Sequence, residues 1–137
     1  MTICKSTNPT AVAPACDATA TAPWNSGRVI FVETGTTNIG TRQAGEEVLR
    51  VRQALDAGVT LYGTAPTGDI FDTRNSITYT SDGLTTLISQ ANLKLSEWKL
   101  CDQRGANYGR AVAIVTTGRA RVTNRGKNMN DGSLVCQ

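Results

Sequence analysis

Residues 98–122 read "WKLCDQRGANYGRAVAIVTTGRARV", and this stretch decides the fold. Its middle, "AVAIV" (111–115), is a β-branched and small-residue run of strand length. Thr117-Gly118 then supplies turn chemistry and "RARV" resumes an alternation, so 109–122 predicts two strands joined as a hairpin. Ala111, Ala113 and Val115 are expected on one face, with Val112 and Ile114 on the other. Just upstream, "SEWKLCD" (96–102) alternates as well, with Trp98 and Leu100 facing one way and Lys99 and Cys101 the other.

The rest of the chain carries the same signature. "SITYTSDG" (76–83) predicts a strand running into an Asp-Gly turn. "GRVIFVE" (27–33) is the clearest strand of the N-terminal half, and "MTIC" is a short one. Residues 5–23 are rich in Pro, Thr and Ala, and "TGTTNIGT" (34–41) is a turn cluster. "GEEVLRVRQALDAGV" (45–59) fits two patterns. Val48, Val51 and Leu55 make a helical stripe with Glu46 and Glu47 in a first turn. Leu49 and Val51 between Val48, Arg50 and Arg52 also fit a strand, although propensity favours helix. The tail is polar until "LVC" (134–136), which is expected to return as a short edge strand. The fold class is therefore mainly β, in one domain over 1–137, with Val29, Phe31, Leu61, Ile77, Leu100, Val112 and Ile114 in the core.

The chain has 137 residues, and charged residues make up 18%, fewer than in a typical cytosolic domain. Abundant Thr, Gly, Asn and Ser suggest a protein that works outside the cytoplasm. No window offers the roughly 18 consecutive apolar residues of a membrane span. No signal peptide is visible either. The net charge of +3 is uneven: residues 1–93 hold six Lys/Arg against eight Asp/Glu, and residues 94–137 hold eight against three. A basic C-terminal third points to a polyanionic partner.

Cys4, Cys16, Cys101 and Cys136 form no CxxC pair, and histidine is absent, so zinc spacing is missing. Two disulfides and an oxidising compartment are expected. Three pairings are possible. Proximity gives Cys4–Cys16 and Cys101–Cys136, loops that would contribute roughly 3 and 4 kcal/mol.

The same composition removes most catalytic chemistry. Ser-His and Cys-His systems need histidine. No GxxxxGK[ST] loop occurs, and "GTTNIG" lacks the strand–loop–helix frame of a dinucleotide site. The pairs Asp69/Asp72 and Glu46/Glu47 read as solvated loop carboxylates. "TGDIFDTRN" (67–75) has oxygen ligands without EF-hand spacing. No enzyme activity, cofactor or metal is expected. A carbohydrate adhesin would want an aromatic cluster beside acidic or amide groups, which the sequence does not offer.

"WNSGRVIFVETG", "VTLYG", "ITYTSDG" and the opening stretch, followed by a terminal cysteine, resemble in this order the globular domain of GspH/FimT-like proteins. These are minor type IV pilins and type II secretion pseudopilins. The resemblance implies two packed β-sheets behind a long N-terminal helix, and it tilts 45–57 toward strand. It also implies a prepilin leader and a hydrophobic helix ahead of the first strand, with Met1 an added start. That helix would anchor the protein in the inner membrane and pack in a filament core. The expected location is the periplasmic face of that membrane and the extracellular pilus, with other minor and major pilins as partners; the isolated domain is expected to be soluble and monomeric.

FimT-like relatives contribute to DNA uptake through a Gly-Arg-x-Arg motif, which here is Gly118-Arg119-Ala120-Arg121. On a strand, Arg119 and Arg121 leave one face about 7 Å apart, close to phosphate spacing, while Ala120 points toward the core. Arg125 and Lys127 extend the patch, and a disulfide to Cys136 would keep the tail near it. The expected partner is the DNA backbone, read without sequence. The alternative is a structural FimU- or GspH-like subunit that initiates or caps a filament without binding DNA.

Overall fold

The computed structural model describes residues 1–35, 38–64, 73–85, 95–115 and 117–136. Among them are eight strands: β1 (Thr2–Lys5), β2 (Arg28–Phe31), β3 (Val48–Arg52), β4 (Thr60–Gly63), β5 (Ser76–Thr78), β6 (Leu95–Cys101), β7 (Arg110–Val115) and β8 (Ala120–Val122). They form two antiparallel four-stranded sheets, β3-β2-β1-β5 and β4-β6-β7-β8. No helix occurs among the described residues.

Within the ambiguous segment, Val48–Arg52 is therefore a strand and the rest is turn or irregular. Val51 lies opposite Val29, and Arg52 opposite Arg28. A short isolated helix is marginal in water, whereas the edge of β2 offers a ready ladder of donors and acceptors. The "LVC" expectation fails. Leu134 donates its N–H to the Gly126 carbonyl at 2.8 Å, and residues 134–136 join no strand. The tail is a strap across a sheet, not an added edge.

Each sheet has one face closed by such a strap. On the first, Cys4, Val29 and Phe31 are buried and pack with Val48 and Cys16. The Cys4–Cys16 disulfide, with Cα atoms 5.6 Å apart, holds the 6–23 loop over them. Burying Phe31 alone stabilises by about 2 kcal/mol. On the second, Cys101, Ala111 and Leu134 pack with Cys136, and Cys101–Cys136 holds the tail at a Cα separation of 6.0 Å. The pairing is the one that sequence proximity suggests.

The opposite faces are apolar too, and here the expected core needs correction. Val29, Phe31, Ile77 and Ile114 are buried. Leu61 and Val112 are only half-buried, and Leu100 is 40% exposed. The alternation of 96–102 has the expected period, but the face of Glu97, Lys99 and Cys101 is the more deeply buried one. The tail closes the face of Cys101, and the face of Leu100 stays open. Ile3, Trp24, Ile30, Leu61 and Trp98 line an open groove of about 300 Å³ on that side, with Arg28 and Arg52 at its rim.

Trp24 sews the sheets together. Its backbone N–H donates to the Leu61 carbonyl at 2.7 Å, and its ring packs edge-on to Trp98 at 5.1 Å. Both indole N–H groups donate to the Thr73 carbonyl, at 3.1 and 3.2 Å. Gly63 is required beside this knot, because a Cβ there would stand 1.9 Å from the same carbonyl oxygen.

Candidate nucleic-acid interface

The β7–β8 hairpin forms the outer edge of the second sheet. Its tip turns at Gly118, whose φ of 76° is left-handed. A Cβ at Gly118 would also lie 1.8 Å from the Gly83 carbonyl oxygen. Glycine is thus needed twice: for the turn, and to let the tip rest on the Asp82–Gly83 turn that follows β5.

Beyond the tip, Val115 donates to the Arg119 carbonyl at 3.1 Å, and Arg121 sits opposite Ala113. Its register puts Arg121 on the strapped side of the sheet, Arg119 just precedes β8, and both residues are exposed. Arg121 Nη2 donates to the Met129 carbonyl at 2.7 Å. The Arg119 side chain has no hydrogen-bonding or ionic partner among the described residues. Ala120 does lie on the other face, as expected, but that face is open and Ala120 is exposed rather than in the core.

The rest of the expected patch divides. Arg125 lies past the far end of β8, its guanidinium carbon 5.4 Å from the centre of the Tyr108 ring. Lys127 is in the strap, where its backbone pairs with Ser133, and its side chain is exposed. The disulfide to Cys136 and the bond from Leu134 hold this strap beside Arg121 and Arg125.

Sequence reading missed the company around Arg125. Arg104 also stacks on Tyr108, at 5.3 Å, and forms an ion pair with Asp102 whose shortest contact is 2.5 Å. The hydrogen bond from Arg104 holds the Asp102 carboxyl below its usual range, and the same bond raises Arg104 above its own. Arg110 Nη1 donates to the Thr123 carbonyl at 3.1 Å. The available signal was Tyr108, an aromatic flanked by arginines in the basic third.

The acidic expectations also change. Glu46 is not a solvated loop carboxylate. It is buried, and it accepts N–H bonds from Gln43 at 2.7 Å and Thr34 at 2.9 Å. These two bonds lead in lowering its pKa, and desolvation opposes them only in part. Asp69 and Asp72 lie outside the described residues, as does most of 67–75. Among the described residues no group of three or more Cys, Asp or Glu is placed to hold a metal.

Fold and surface together define a disulfide-stapled, two-sheet β-domain with a basic outer edge. A family model, that of the type II transport protein GspH, matches residues 1–132, and the chain belongs to that family. The family is one of minor pilins and pseudopilins, structural rather than enzymatic, which associate with other such subunits in a periplasmic assembly. No helix among the described residues is long and apolar enough to cross a membrane. Comparison with curated proteins and with solved structures gives no match.

Proposed function

We propose that residues 1–137 form the globular domain of a FimT-like minor type IV pilin that binds the DNA backbone non-specifically during DNA uptake. The observation that carries this reading is the pair Arg119 and Arg121. They are exposed, lie two residues apart at the start of edge strand β8, and form no ion pair among the described residues. Guanidiniums two residues apart are about 7 Å from each other and can each take a backbone phosphate. Arg125 and Lys127 bring the count to three or four phosphates, so log K should fall against log salt with a slope of roughly −3 on duplex DNA. Replacing Arg119 and Arg121 with Gln should flatten that slope by about 1 each, for every DNA sequence alike. A parent protein with no salt-sensitive binding, or a double variant that binds like the parent, overturns the reading.

A second reading has its own support. The open groove with Arg28 and Arg52 at its rim is an apolar face suited to packing against another filament subunit or an anchoring helix. In that case the domain acts by initiating or capping a filament, without DNA. Leu61→Asp should then abolish co-assembly with the other minor pilins and leave DNA titrations unchanged.

A further inference from the structure

Tyr108, Arg104, Arg110 and Arg125 line one side of a cavity of about 240 Å³, away from the hairpin tip. The three arginines come from three places: the 102–109 loop, the start of β7, and the turn after β8. Their convergence is built into the backbone. Gly126 donates its N–H to the Gly109 carbonyl at 2.9 Å, and Leu134 donates to Gly126 at 2.8 Å. A Cβ at Gly109 would meet Leu134 at 2.6 Å and the Cys101 sulfur at 3.3 Å. The floor of the cavity therefore rests on the Cys101–Cys136 strap. The walls are ordered as well, because the Tyr108 ring holds Arg104 and Arg125 at 5.3 and 5.4 Å, a cation–π arrangement that leaves the Arg125 guanidinium edge free to donate.

The charges do not balance. Asp102 neutralises Arg104 through Nε and Nη2, at 2.9 and 2.5 Å. Arg110 spends one donor on Thr123, and Arg125 has no carboxylate partner among the described residues. Two positive charges and several ordered N–H groups thus face a half-enclosed space. We propose that this cradle is a binding site for a phosphoryl oxyanion, separate from the Arg119/Arg121 edge. A planar guanidinium fork held by stacking suits bidentate contact with two oxygens of a tetrahedral phosphoryl group. The site stands without the DNA reading; its use as a further DNA phosphate contact rests on that reading.

Titrating the intact domain with pyrophosphate, followed by NMR of the arginine Nε–Hε and Tyr108 ring signals, tests the site. Saturable shifts are expected at Arg104, Arg125 and Tyr108, with little change at Arg119 and Arg121. Arg125→Gln should weaken pyrophosphate about tenfold. Asp102→Asn keeps an oxygen for the Arg104 backbone N–H but frees the guanidinium, so it should tighten binding by up to about fivefold. No saturation, an Arg125→Gln variant that binds like the parent, uniform shifts at all the arginines, or no gain from Asp102→Asn overturns the proposal. Adding DNA then separates the sources. Competition lost in Arg125→Gln but kept in the Arg119/Arg121 double variant assigns the site to phosphodiesters. Saturable pyrophosphate binding without competition assigns it to a small phosphorylated ligand and counts against DNA only here.

Discussion

The first sheet straps the 6–23 loop across its outer face with Cys4–Cys16, and the second straps the tail across its own with Cys101–Cys136. Beneath and beside the first strap the charges turn inward. Lys5 is almost wholly buried, and its ammonium donates to the Thr19 and Ala22 carbonyls. Glu46, on the loop leading into β3, is buried on backbone N–H groups. Around the second strap one charge also turns inward, buried Glu97, which accepts the Met129 N–H at 2.8 Å, but the arginines turn outward. Arg119, Arg121 and Arg125 are exposed, with most of their donors unspent. A charge whose bonds are filled by its own backbone holds a loop in place. One left with spare donors on an ordered scaffold is available to a partner.

The sharpest way to break this contrast is to cut each strap. Cys101→Ala/Cys136→Ala opens the longer loop, so it should cost about 4 kcal/mol in denaturant unfolding, against about 3 for Cys4→Ala/Cys16→Ala. The first variant should also lose pyrophosphate and DNA binding under conditions where it remains folded, because the strap positions Arg125. The second should keep both. Equal effects of the two cuts on binding would mean that the straps do not differ in role.

Gly118→Ala comes next. It strains a left-handed φ and drives a Cβ into the Gly83 carbonyl, so a loss of about 2 to 3 kcal/mol is expected. A loss under about 0.5 kcal/mol would show that the tip simply lifts away from the other sheet.

Glu46→Gln tests the inward side and should cost about 1 to 2 kcal/mol. Because its bonds hold the folded carboxyl below the ordinary 4.5, the stability it gives is complete above that pH and is lost as pH falls through the folded value. The parent should therefore destabilise more steeply than the variant below about pH 4.5. Parallel acid profiles would place the titrating group elsewhere.

How much was legible follows from range. The hairpin was readable because Gly118 punctuates two alternating runs, and the disulfides because each joins near neighbours among four cysteines. β3 was not, since 48–52 suits either structure locally and only its long-range pairing with β2 decides. Leu100 misled because alternation gives the period but not which face the tail will cover. The burial of Glu46 depends on a loop folding back on itself, which leaves no local pattern. Of the candidate site, the Arg119/Arg121 edge was visible as an i, i+2 pair. The Tyr108 cradle was not, because its arginines meet only after the tail has been strapped down.

The smallest effects separate the two arginines of the edge. Neither should matter much to stability, since exposed substitutions usually stay within about 0.5 kcal/mol. They should still differ. Arg121→Gln removes the bond to the Met129 carbonyl and loosens the strap by a few tenths of a kcal/mol, whereas Arg119→Gln removes no bond among the described residues and should be silent in unfolding. In DNA titrations the two should flatten the salt slope alike, by about 1. That pairing of unequal stability with equal binding is what two open guanidiniums on one edge require. If Arg121→Gln weakens binding and Arg119→Gln does not, the effect runs through the strap rather than through a phosphate, and the edge is then no more than the scaffold for its neighbours.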